Sequence, residues 1–168
     1  MRRHTPDDIK TLEAWQVFVF GTNANGFHGA GAAGIAFRSE SKNTWRNDPW
    51  FRMAMTSPVG SKERVGRWAV FGVARGLQKG NAGTGYGIET IKRPGELRST
   101  PLSEIAAQLK VLFKYAREHP RLEFLVTKIG CGLAGYTKNE IFDVFARLES
   151  EAWIPENVLL PKELDPRS

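Results

Sequence analysis

A chain of 168 residues, 41% hydrophobic and 25% charged, has the composition of one globular domain with a full core. No apolar run approaches the ~20 residues of a membrane span, and the lone Cys131 excludes an internal disulfide and a multi-cysteine metal centre. The net charge of +6 favours anionic partners, nucleotides or nucleic acid.

The basic start, MRRHTPDDIK, precedes no apolar core, so no secretory signal is expected and the default location is cytoplasmic. Residues 1–14 read as an arm or a short lead-in helix. Trp15 to Phe20 reads as a buried strand. Gly21 and the tetrad Thr22-Asn23-Ala24-Asn25 end it, followed by Gly26, His28, Gly29, Ala30 and Gly31. Small residues between a strand and a helix let main-chain N–H groups approach an anion. The helix expected from that loop runs from about Gly31 to Arg38.

Residues 39–66 mix charges with two prolines and two tryptophans and read as an irregular insertion. Trp45, Trp50 and Phe51 lie among Lys42, Arg46 and Arg52. They form either an aromatic and basic flap for a base or the anchors of a long loop. Arg67 to Val73 predicts a strand. Ala74 to Gly87, with Gly76, Gly80, Gly83, Gly85 and Gly87, reads as a second glycine-rich loop without a Walker or dinucleotide order. Ile88 to Ile91 predicts a short strand, and Lys92 to Gly95 a turn.

Thr100 as N-cap and Pro101 at the first helical position open the clearest helix, which carries Ile105, Leu109, Leu112, Phe113 and Ala116 on one face. Leu122 to Ile129 predicts a strand running into a third glycine loop, Gly130-Cys131-Gly132-Leu133-Ala134-Gly135-Tyr136. Thr137-Lys138-Asn139-Glu140 fits a capping box for the next helix. Asn157 to Leu160 is the last expected strand, with 161–168 as a loose tail. The alternation argues an α/β fold with a largely parallel or mixed sheet, whose ligand site falls at the carboxyl ends of the strands.

Two of these runs resemble the macro-domain family. GTNANGFHGAGAAGIA is similar to its first loop, and LVTKIGCGLAGYTKNEI to its second. More closely, both runs are similar to a family of phage-associated proteins with an FG(S/T)N…HGAGAA signature and the same IGCGLAGY run. The resemblance covers residues 17–36, 76–91 and 125–145. It implies a single three-layer αβα domain that binds ADP-ribose or a related NAD-derived nucleotide. Gly130, Cys131, Gly132, Leu133, Ala134 and Gly135 would wrap the diphosphate, with Gly29, Ala30 and Gly31 on its other side and Gly21 and Thr22 nearby. Asn23 or Asn25 would bond the distal ribose or hold an attacking water, and Tyr136 would stack near that ribose. Ala33 stands where hydrolytic members often carry an acid, which weakens hydrolysis more than binding.

The residues also allow plainer roles. His28 could meet a phosphate or bond local backbone. Cys131 reads better as a small packed residue than as a nucleophile. Glu89 reads as a strand surface position or as a ribose ligand and base. No group of His, Cys, Asp and Glu has metal-ligand spacing, and no cofactor is expected. Three functions compete: a nucleotide-binding domain, in a phage setting sequestering or processing a signal in the host cytoplasm; an ADP-ribosyl or phosphate-ester hydrolase using Asn23 or Asn25; and a nucleic-acid-binding protein. Oligomeric state is left open.

Overall fold

The computed structural model describes residues 1–38 and 48–167. Its elements, in chain order, are β1 (Gln16–Asn23), α1 (Gly31–Arg38), α2 (Pro49–Thr56), β2 (Gly76–Lys79), β3 (Thr84–Ile91), α3 (Leu102–Glu118), β4 (Glu123–Val126), α4 (Lys138–Ala152) and β5 (Val158–Leu159). The strands form one mixed sheet in the order β2-β3-β1-β4-β5. β1 is central and parallel to both β3 and β4, β5 is parallel to β4, and β2 is the antiparallel edge.

A central parallel strand is covered on both faces, which is why β1 reads as a continuous apolar run. Val17 and Val19 point to one side and pack with Tyr86, Ile88 and the inner faces of α3 and α4. Phe18 and Phe20 point to the other and pack on Ala33 and Ala36 of α1 and on Trp68. The result is an α/β fold in three layers. Full burial of a side chain such as Phe20 contributes roughly 1.5–3 kcal/mol.

Helix α1 has the expected limits, and α4 begins with the expected capping box: Glu140 N–H donates to Thr137 Oγ1 at 3.1 Å and Thr137 N–H to Glu140 Oε1 at 3.0 Å. Elsewhere the chain departs from its local signals. Residues 67–73 form no strand; Arg67 and Trp68 donate their N–H groups to Phe37 and Ala36 carbonyls at the end of α1. The second glycine loop is a β-hairpin. Gly85 and Gly87 are inside β3 because a Cβ there would meet the Trp68 and Ala74 carbonyl oxygens at 2.3 Å. The hairpin turn lies at the amino end of β3, since Thr84 pairs with Val17 at the start of β1.

Thr100 does not cap α3. Pro101 holds the N-cap position, and the Thr100 hydroxyl donates to Glu89 at 3.1 Å. The arm carries no helix; Thr5 binds Leu160 and Leu159 carbonyls. The 161–167 segment is pinned rather than loose. Leu164 is fully buried, and Arg167 binds Asp165 and the carbonyls of Pro155 and Val158. Within the 39–66 insertion, 48–66 carries α2 and a 3-10 turn at Lys62–Arg64. Lys42, Trp45 and Arg46 lie outside the described residues.

Candidate functional site

A cleft of about 520 Å³ opens where β1, β3 and β4 end, within the size range of small-molecule sites. Its floor is the end of β1, at Gly21, Thr22 and Asn23. The loop from β1 into α1 forms one wall, with Gly29, Ala30 and Gly31. The loop after β4 forms the other, with Gly130, Gly132, Leu133 and Ala134. The sequence places these loops far apart; two adjacent parallel strands bring them face to face.

Both loops carry main-chain donors without partners among the described residues. α1 starts when Gly34 N–H reaches the Ala30 carbonyl at 3.0 Å. Ala30 therefore occupies the capping position and has no side-chain acceptor to offer. The N–H groups of Gly31, Ala32 and Ala33 bond to no described residue. In the loop after β4, Cys131, Gly135 and Tyr136 donate to Lys128, Gly132 and Gly130 carbonyls, which folds the loop on itself. The N–H groups of Gly130, Gly132, Leu133 and Ala134 bond to no described residue. Gly130 turns at φ +77°, and a side chain there would strike Ile141 at 2.8 Å. Gly132 meets nothing within 4 Å.

Asn23 lines the cleft, yet its amide is committed. Oδ1 accepts from Asn25 N–H at 3.1 Å and Phe27 N–H at 3.0 Å, and Nδ2 donates to the Phe27 carbonyl at 3.0 Å. This is an Asx-type staple that shapes the loop. Asn25 is exposed and is not part of the lining. The Thr22 hydroxyl donates to the Ala74 carbonyl.

Several expected site residues face elsewhere. His28 is fully buried, its Nε2–H donating to the Val70 carbonyl at 2.9 Å and its ring edge-on to Phe20. Burial lowers its pKa to about 4, against the raising effect of its hydrogen bonds, so it is neutral and meets no ligand in the cleft. Tyr136 is buried, donates its hydroxyl to the Thr100 carbonyl and carries Arg98 on its ring at 4.8 Å; it is not placed to stack on a sugar. Gly135 turns at φ +86° beneath Leu97 and gives its carbonyl to Arg98 at 3.1 Å. Cys131 packs against the core, and burial pushes its thiol up, partly opposed by Lys128 and Lys138. That is the reverse of nucleophile activation.

Glu89 is neither a surface residue nor a cleft residue. Its carboxylate is buried and takes Lys92 at 2.7 Å, Thr100 at 3.1 Å and Arg75 at 3.2 Å. Burial alone would raise its pKa; these partners outweigh it and hold the carboxyl below its ordinary value. Glu104 shares both cations.

Of the third wall, the flap reading named only Phe51; Trp50 of the same flap is exposed and does not line the cleft. Thr90 and Ile91 at the end of β3 line it with Pro94, and Phe51 and Met55 of α2 close the side near Phe27. α2 is fixed beside the cleft by Asp48, which caps it and pairs with Arg38 at the end of α1. The lining is thus apolar with main-chain donors, three threonine hydroxyls and one ionisable side chain, Lys128, which pairs with Glu163 at 2.6 Å. Such a surface suits an anion attached to an apolar or aromatic body. Among the described residues, no carboxylate, imidazole or thiol lines it to exchange protons. No helix in the described residues is long and apolar enough to cross a membrane. No family model, curated protein or solved structure matches the chain.

Proposed function

We propose that the protein binds ADP-ribose or a related NAD-derived nucleotide in this cleft, as the motif resemblance implies. The supporting observation is the pair of facing loops whose N–H groups at Gly31–Ala33 and at Gly130, Gly132–Ala134 have no partner among the described residues. Oriented main-chain donors on two walls suit a diphosphate, and the helix dipole of α1 adds to them. The apolar wall of Phe27, Phe51 and Met55 suits the flat body of a base.

Binding is favoured over hydrolysis. The Asn23 Oδ1 that would accept from an attacking water already takes the Asn25 and Phe27 N–H groups, and one Nδ2 proton goes to the Phe27 carbonyl. Sequestration of the nucleotide is the corresponding role, in keeping with the likeness to phage-associated proteins.

Calorimetry and thermal shift with ADP-ribose, NAD, ADP, AMP and a short single-stranded oligonucleotide test the reading. Binding to the native state raises Tm by mass action. Gly132→Glu fits without a clash at its Cβ position and puts a carboxylate among the donors. It is expected to abolish nucleotide binding with little change in the ligand-free Tm. Binding of the oligonucleotide alone, falling steeply with salt, would instead support the nucleic-acid reading.

A further inference from the structure

The register between β1 and β3 slips at the cleft. Thr22 pairs with Glu89, but Asn23 pairs with Ile91, leaving Thr90 as the extra residue of a β-bulge. A bulge bends its strand and re-aims a side chain, and it persists in a central sheet only at the cost of ladder hydrogen bonds. Here it turns Thr90 toward Gly21, where an added Cβ would meet Thr90 Oγ1 at 3.0 Å. The absent side chain on Gly21 leaves open floor beside that hydroxyl.

Thr90 is 4% exposed. Its neighbours in the lining spend their hydroxyl protons on the protein: Thr22 on the Ala74 carbonyl and Thr127 on the Val19 carbonyl. Thr90 Oγ1 makes no hydrogen bond to any described residue. It is not sealed off, because it borders the cleft and is not among the side-chain atoms buried without a partner. A nearly buried hydroxyl left unbonded is costly unless something else meets it.

We propose that Thr90 is a specificity-determining residue, whose hydroxyl pairs with a sugar hydroxyl of the bound nucleotide; this rests on the nucleotide reading above. The spacing keeps Thr90 away from an anion held at the loop after β4. β4 and β3 flank β1, so Thr90 lies about two strand spacings, roughly 10 Å, from the β4 line that carries the second donor loop. An anion held at that loop does not reach Thr90. A sugar joined to it, lying over bare Gly21, does. A threonine hydroxyl both donates and accepts, as a sugar hydroxyl does. The site therefore discriminates against analogues that lack that hydroxyl.

The test is calorimetry of wild type, Thr90→Val and Thr90→Ser with ADP-ribose and with analogues lacking one sugar hydroxyl at a time. Thr90→Val keeps the shape and removes the hydroxyl. It is expected to bind ADP-ribose about tenfold more weakly, as for one lost hydrogen bond, with Thr90→Ser restoring most of the affinity. One deoxy analogue is expected to bind wild type and Thr90→Val alike. The ligand-free Tm of Thr90→Val should equal or exceed that of wild type, because the hydroxyl makes no bond to any described residue. Wild-type affinity in Thr90→Val overturns the proposal while leaving the nucleotide site intact, and so does a clear fall in its ligand-free Tm. Failure of wild type itself to bind ADP-ribose overturns the nucleotide reading and this proposal with it.

Discussion

His28 ties acid stability to the loop that forms one wall of the cleft. In the folded chain burial holds its imidazole neutral, with a pKa of about 4 against 6.5 for an ordinary histidine. Between those values the unfolded chain binds a proton that the folded chain does not. Stability therefore rises with pH through this window: the His28 contribution is full above pH 6.5 and is lost as the pH falls toward 4. At about 1.4 kcal/mol per unit, the loss reaches about 3 kcal/mol near pH 4. The comparison is His28→Gln, which does not titrate and can still offer an N–H to the Val70 carbonyl. Urea unfolding of both proteins from pH 7.5 to 4 gives the difference in stability, in which the other titrating groups cancel. Wild type starts the more stable, and its advantage should shrink by about 1.4 kcal/mol per unit below pH 6.5. A difference that stays constant across the window would refute the claim that His28 is buried and neutral.

Asn23→Ala removes the three hydrogen bonds of the staple. It should cost about 1–2 kcal/mol, roughly 2–8 °C in Tm for a chain of this size, with Asn23→Asp intermediate because it keeps both accepted bonds; an unchanged Tm would remove the staple role. Gly85→Ala should cost about 2 kcal/mol or more in chemical unfolding, because its Cβ meets the Trp68 carbonyl oxygen at 2.3 Å and Phe20 at 2.9 Å. Glu140 is held at about 2, chiefly by Arg98 and then by the Thr137 N–H. Its folded value is depressed, so its contribution is present above its ordinary 4.5 and lost as the pH falls toward 2. Arg98→Ala should therefore reduce the wild-type loss of stability between pH 4.5 and 2, read as Tm against pH.

Much of the frame is local and so could be read along the chain. The apolar runs of β1 and β4, the small residues of α1 and the reciprocal cap of Thr137 and Glu140 specify their own elements through short-range sterics and hydrogen bonding. The same signals placed Gly29–Gly31 and Gly130–Ala134 in loops that leave strands, and these are the facing walls. What an apolar or glycine-rich segment packs against is not local. Residues 67–73 have the composition of a strand, but their N–H groups are claimed piecemeal: those of Arg67 and Trp68 by the end of α1, that of Val70 by the Gln78 side chain, and those of Phe71 and Gly72 by the Arg64 and Gly26 carbonyls. Glycine in β3 answers to the passing backbone of Trp68 and Ala74, which looks in sequence like a ligand loop. His28 and Tyr136 sit within ligand-like motifs, and only the neighbouring layers determine that both turn into the protein. The bulge that aims Thr90 at bare Gly21 exists only in the pairing of two strands more than sixty residues apart. Periodicity and capping determine the elements; register and the competition for each sheet edge decide which side chains reach the cleft.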